Sequence, residues 1–207
     1  MIVAVSTDLG VPRGAPDAPG PTRREQILAA AAELFARRGF HGVGIDDIGA
    51  AVGISGPALY RHFRSKDAML GEMLRSISEY LLAGGQEKMA QAPAPDKALP
   101  ELIGFHVDFS LDNSALITVQ ERDLANLAEP DRHQVRTLQR QYVEVWVRAI
   151  RASVPQRSER AARAAAHAVF GLLNSTPHSA AAELDRDAMA ALLNRMAIAA
   201  ILAPDAS

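Results

Sequence analysis

Six histidines (His41, His62, His106, His133, His167 and His178), 24 acidic residues and no cysteine bound the chemistry open to this chain of 207 residues. A thiol nucleophile, a disulfide and a thiolate metal site are excluded by composition. No histidines stand at an H-E-x-x-H or other short ligand spacing, no Gly-x-Ser-x-Gly turn occurs, and the acids scatter over what read as helix surfaces. That leaves no first shell for a metal or a hydrolytic centre, and no metal or cofactor is expected. The side chains with a coherent chemistry crowd into one short stretch: Ser55, Gly56, Pro57, Tyr60, Arg61, His62 and Lys66. Hydroxyls, a ring nitrogen, a guanidinium and an ammonium in such proximity are the groups that bond phosphate oxygens and base edges.

The elements that must position them are legible on either side. Asp46-Asp47-Ile48-Gly49-Ala50-Ala51-Val52 opens acidic and puts Ile48, Ala51 and Val52 on one face of a short helix. Gly53 suits a sharp turn and Ile54 a plug between helices. Ser55 then caps a second short helix that carries Pro57 in its first turn. Ala58, Leu59 and Phe63 face inward at helical spacing, while Gly56, Tyr60, Arg61 and His62 face out. This is a helix-turn-helix with a cationic second helix, suited to the DNA major groove. Arg61 is the best base reader, and Tyr60 and Lys66 are expected on phosphates.

Arg38-Gly39-Phe40, Asp47-Ile48, Val52-Gly53-Ile54-Ser55, Ala58-Leu59-Tyr60-Arg61-His62-Phe63 and Ser65-Lys66 together resemble the N-terminal signature of the TetR family of bacterial transcriptional regulators. The resemblance covers about Thr22 to Leu74. It departs from the pattern at Val43-Gly44, where a Ser or Thr cap is usual, at Gly49, where Ala is usual, and at Gly56-Pro57, in place of a Lys-Gly or similar pair. It implies a homodimer that binds double-stranded operator DNA and takes a small-molecule effector in the rest of the chain.

Charge agrees with that reading. Between residues 21 and 66 seven Arg and Lys face four acids, a local +3, so a chain with a total of −2 has −5 elsewhere. A glycine cluster at Gly39, Gly42 and Gly44 follows a helix rather than a strand, the wrong context for a dinucleotide phosphate loop. Residues 1–21 are rich in Gly, Pro, Ala and Asp without period and read as a disordered arm with one cation, Arg13. The apolar run Ile2-Val3-Ala4-Val5 is too short for a signal peptide and no run reaches a membrane span, so a cytoplasmic protein is expected.

Thr22-Arg23-Arg24-Glu25 is a capping box for a first helix buried through Ile27, Leu28, Ala31, Leu34 and Phe35. Ser65 caps a long fourth helix that joins head to body, with a kink or frayed turn at Gly84-Gly85 and an end at Ala92-Pro93. The body reads as helices over about 96–109, 113–127, 130–153, 158–173 and 185–202. His106 and His167 lie within apolar faces and either line one interior space or are hydrogen-bonded core histidines. Phe105, His106, Phe109, Glu121, Tyr142, Trp146, His167, Phe170 and Asn174 are the expected effector lining, for an apolar or amphipathic molecule. Ala162, Ala166 and Phe170 with Met189, Leu192, Leu193 and Met196 are the expected dimer interface.

The expected fold is all-α. An N-terminal arm (1–21) precedes a three-helix DNA-binding domain (22–74), joined by the fourth helix to a helical ligand-binding and dimerisation bundle (75–207). The expected function is a homodimeric transcriptional regulator, a repressor released from a palindromic operator by its effector. The alternatives are a helical ligand-binding or chaperone-like module without an operator, and, less well supported by any residue pattern, a helical enzyme.

Overall fold

The computed structural model describes residues 20–179 and 184–204, and every regular element among them is helical. The α-helices run in chain order as α1 Arg23–Arg38, α2 Ile45–Ala51, α3 Gly56–Leu59, α4 Lys66–Gln91, α5 Ala98–Asp112, α6 Ser114–Asp123, α7 Glu129–Ser153, α8 Glu159–Leu173, α9 Thr176–Ser179 and α10 Arg186–Leu202. Apart from Gly20 and Pro21, the expected N-terminal arm lies outside the described residues, as does the side chain of His178.

The chain divides into two compact units. One holds Met1–Ile77 with Ala115–Gln134, the other Ser78–Ser114 with Val135–Ser207. Helices α4 and α7 each contribute residues to both units.

In the first unit Thr22 caps α1, its hydroxyl accepting from the Glu25 amide at 3.3 Å while the Glu25 carboxylate accepts from the Thr22 amide at 2.6 Å. Ile27, Leu28, Ala31, Ala32 and Phe35 bury one stripe, and Gly39 ends the helix at φ 79°, a conformation that costs glycine little. Helix α2 lacks a hydroxyl cap at Gly44, but the Asp47 carboxylate accepts from the Gly44 amide at 2.8 Å. Of the expected inward face of α2, Ile48 is buried and Val52 half-buried, whereas Ala51 is exposed and Gly49 takes its place in the core. Gly49 is there because its backbone runs against the Ile54 carbonyl, where a Cβ would stand 2.7 Å from the oxygen.

In the second unit α10 packs on α5 and α8. The expected kink at Gly84-Gly85 does not occur, and α4 runs unbroken to Gln91. The two glycines leave a bare helix surface on which the rings of Phe105 and Tyr142 sit; a Cβ on Gly85 would lie 2.6 Å from Tyr142 Cε2. Between α8 and α10, where a plain loop was expected, the one-turn helix α9 intervenes, and the Thr176 hydroxyl donates to the Ser110 carbonyl at 2.9 Å.

Candidate nucleic-acid interface

Helix α3 is a single turn. Ser55 caps it, its hydroxyl accepting from the Ala58 amide at 3.4 Å, and Pro57 occupies the first turn. Tyr60, Arg61 and His62 lie beyond the helix in tight turns, with the amides of Arg61 and His62 donating to the carbonyls of Ala58 and Leu59 at 3.2 and 2.9 Å. Leu59 and Phe63 are buried and anchor this segment. Tyr60 is a large aromatic left 56% exposed. Ser55, Pro57 and Arg61 are exposed and His62 half-buried.

Two of the expected contacts stand elsewhere. Gly56 is buried, and a Cβ there would run into the Asp46 carboxylate. The Lys66 ammonium donates to the carbonyls of Phe40 and Val43, both at 2.8 Å, and lies 4.5 Å from the centroid of the Phe40 ring. It is thus occupied in closing the turn between α1 and α2 rather than presented to solvent.

Most other cations of the basic stretch also have partners within the chain, though they stay exposed, Arg37 at 70% and Arg38 at 54% of the side chain. Arg24 forms a forked pair with Glu72, donates to the His62 carbonyl and lies 4.0 Å over the Phe63 ring. Its hydrogen bonds to Glu72 hold its guanidinium above its ordinary range against the opposing effect of desolvation. Arg23 donates to the Val52 carbonyl, Arg37 pairs with Glu33 and Arg38 with Asp47. Among the described residues, Arg61 and Arg64 are the cations of this stretch with no hydrogen bond or ion pair. A cleft of about 320 Å³ opens beside Arg64, lined by Arg24, His62, Phe63, Arg64, Ala68, Glu72, Arg75 and Asp131. Arg64, one of the seven cations of the basic stretch but not among the expected contacts, is exposed between two helices.

In the second unit, Phe105, His106, Phe109, Tyr142, Trp146, Phe170 and Asn174 do come together. His106 is buried; its Nδ1 meets the Tyr142 hydroxyl at 3.1 Å and its Nε2 the Asn174 side-chain oxygen at 3.2 Å. The ring of His106 stacks on Tyr142, and Tyr142 on Phe170, with centroids 5.8 and 5.7 Å apart, and Trp146 meets Phe170 edge-on at 5.0 Å. Desolvation pushes His106 down to about 4, outweighing the Asn174 hydrogen bond, so the ring is neutral at neutral pH. Burial likewise raises Tyr142. The Trp146 indole nitrogen is buried without a hydrogen-bond partner among the described residues.

Two of the residues expected with them are elsewhere. His167 is exposed on the outer side of α8, touching the cluster only through the edge of Phe170 at 6.4 Å. Glu121 is exposed on α6 and belongs to the first unit. The misplacement has a simple origin: His167 is three residues before Phe170, close enough on a helix to be assigned either side of a narrow stripe. The expected dimer residues divide in the same way. Ala162, Ala166 and Leu193 are buried within the protomer, while Met196 is 44% exposed and Phe170, Met189 and Leu192 are half-buried.

An exposed helix-turn-helix at the end of an all-helical chain defines a DNA-binding transcriptional regulator. Residues 27–73 match the bacterial regulatory proteins of the tetR family, and residues 92–201 match the tetracyclin repressor-like C-terminal domain. The chain belongs to the TetR family. The HTH-type transcriptional repressor KstR2 of Mycolicibacterium smegmatis is 29% identical over 149 residues, which cover 70% of this chain and 73% of the relative. A TetR-family transcriptional regulator from Bordetella parapertussis superposes with a TM-score of 0.76 at 24% identity, covering 84% of this chain and 93% of that one. The ketosteroid transcriptional regulator KstR2 of Mycobacterium tuberculosis gives 0.74 at 19% identity, covering 88% and 95%. At these identities the solved structures carry the fold. Among the described residues, no helix is long and apolar enough to cross a membrane.

Proposed function

We propose that the chain is a homodimeric repressor that reads a two-fold symmetric operator and is released from it by a small, largely apolar effector. The observation that carries this reading is the pairing of an exposed Tyr60 with two unengaged guanidiniums, Arg61 and Arg64, around the end of α3. Ser55, Pro57, Tyr60, Arg61 and His62 are the proposed operator contacts, with Arg61 on a base edge and Arg64 added on a phosphate. Residues 22–74 serve as the DNA-binding domain and 75–207 as the ligand-binding and dimerisation domain. One short recognition helix per chain favours two chains, set for half-sites about 34–36 Å apart.

Dimerisation is assigned to the outer sides of α8 and α10, where Ala164, Ala168 and Gly171 allow close approach and Met196 and Leu202 offer apolar bulk. The effector is assigned to the aromatic cluster around His106 and Tyr142, whose neutral ring and hydroxyl favour an uncharged group. The repressor name of the Mycolicibacterium smegmatis relative supports the sign of regulation. The test is selection of genomic fragments by the full chain, followed by sedimentation alone and with the recovered fragment. A two-fold symmetric consensus bound by two chains is expected; an asymmetric site bound by one chain overturns the reading.

A further inference from the structure

Residues 115–134 are far in sequence from the helix-turn-helix, yet they fold into the same compact unit. The junction is specific. Arg122, in the last turn of α6, donates from Nη2 to the Phe35 carbonyl and from Nη1 to the Ala36 carbonyl at 3.2 Å. These are carbonyls of the last turn of α1, where a cation is favoured by the open acceptors and by the helix dipole. The Phe35 oxygen also accepts from the Gly39 amide at 2.8 Å, so the guanidinium bonds to the same oxygen that ends the helix. Behind it the Asp123 carboxylate, 3% exposed, accepts from Arg122 Nη2 at 2.9 Å and Nε at 3.2 Å.

The bonding continues to the far side of the turn. Asp123 Oδ1 accepts from the Asn126 amide group at 3.3 Å, and Asn126 Oδ1 meets His41 Nε2 at 3.1 Å. One network therefore grips Phe35 and Ala36 before the α1–α2 turn and His41 within it, and α2 is the first helix of the DNA-reading motif. The Phe35 ring beneath is fully buried and packs edge-on against Phe40 at 5.3 Å. A tilt at this turn is thereby carried into the packed core of the head.

We infer that Arg122 is a positioning residue for operator recognition: by joining the end of α6 to both sides of the α1–α2 turn, it sets how α2 and α3 are presented to DNA. It touches no nucleic acid in this account. A simple helix cap predicts a loss of stability and nothing else; a positioning role predicts lost affinity in a protein that still folds.

The variants are Arg122→Gln, Arg122→Lys and the double variant Arg122→Gln/Asp123→Asn, which removes the cation together with the buried charge it compensates. Each is titrated as the full chain against an operator fragment recovered with the native protein, and amide exchange is followed on peptides covering 35–43 and 135–153. Arg122→Gln and the double variant are expected to bind every fragment roughly tenfold more weakly without reordering their preference. Arg122→Lys, which reaches only part of the network, is expected to restore some of the loss. Exchange is expected to rise over 35–43 and stay unchanged over 135–153. If the double variant binds within twofold of the native chain, the inference fails, whether or not exchange at 35–43 has changed. It also fails if affinity drops while exchange at 35–43 is unaltered.

Discussion

Between Phe35 and Lys66 the head starts and stops two short helices, and each stop leaves carbonyls without intrahelical partners. Arg23, Arg24, Lys66 and Arg122 donate to six of the nearby carbonyls, those of Val52, His62, Phe40, Val43, Phe35 and Ala36. The body between Ser78 and Ser114 and from Val135 onward runs longer helices, and its middle is closed by rings: Phe105, Tyr142, Trp146 and Phe170, two of them seated over Gly84 and Gly85. It uses cations too, but at its margins, where Arg157 donates to the carbonyls of Ile201 and Ala203 at the end of α10 and Arg186 pairs with Asp108 and Asp112. The lesson concerns what a basic segment means. A turn-rich domain consumes cations internally, so its net charge overstates what it can offer DNA, and the proposed recognition falls to the few unengaged side chains.

The comparison ranks the expected costs of damage. Trp146 is fully buried against His106, Tyr142 and Phe170, and Trp146→Ala is expected to cost about 4 kcal/mol in urea unfolding followed by far-ultraviolet circular dichroism. Arg24→Gln, which opens a partly exposed clamp, is expected to cost about 1 kcal/mol. Equal costs would erase the distinction between a ring-packed body and a cation-clamped head.

Next in size is a dependence on pH. His106 has a folded value of about 4, depressed by burial from its ordinary 6.5. The unfolded chain therefore binds the proton first. The stability this group confers is complete above about pH 6.5 and falls by about 3 kcal/mol as the pH drops through its unfolded value towards 4. Denaturant midpoints between pH 7 and 4 measure it, and His106→Leu is expected to flatten that part of the profile. An unchanged slope in His106→Leu would place the acid sensitivity elsewhere. Smaller again is Gly85→Val, expected to cost about 2 kcal/mol because the new side chain must displace the buried Tyr142 ring. Trp146 fluorescence should shift in the same variant.

The helix-turn-helix could be read from sequence because its markers are local: Ser55 as cap, Pro57 in the first turn, Gly53 at φ 71°, and Leu59 and Phe63 inward at helical spacing. The aromatic cluster was partly legible for the same reason, since Tyr142 and Trp146 are four apart on one helix. What failed depends on contacts distant in sequence. Nothing near Lys66 announces that Phe40 and Val43 will present their carbonyls to it, and nothing near Gly84 announces a ring from α5. His167 and Glu121 stand apart from that cluster, because a polar residue beside an apolar stripe has the same local pattern whether it faces in or out. The grouping of 115–134 with the head has no local signature at all.

The smallest expected change in stability, that of Arg61→Ala, bears on the boundary between holding the head together and touching DNA. Lys66 and Arg61 lie five residues apart and carry the same charge, but Lys66 Nζ has two carbonyl partners at 2.8 Å and Arg61 has none among the described residues. Lys66→Ala is expected to lower stability by about 1 kcal/mol, since it leaves two carbonyls of the α1–α2 turn without their charged donor. It is expected to leave the slope of log affinity against log salt unchanged, because an ammonium held by carbonyls releases no counterion on binding. Arg61→Ala is expected to reverse the pattern, with stability within about 0.5 kcal/mol of native and selectivity at one base per half-site relaxed by about 1–3 kcal/mol. Thermal melts and salt-series titrations of both variants separate the two roles. If Lys66→Ala melts like the native chain and flattens the slope by about one ion, its ammonium reaches a phosphate in the complex, and the sequence expectation for Lys66 describes the bound state better than the hydrogen bonds of the unbound chain.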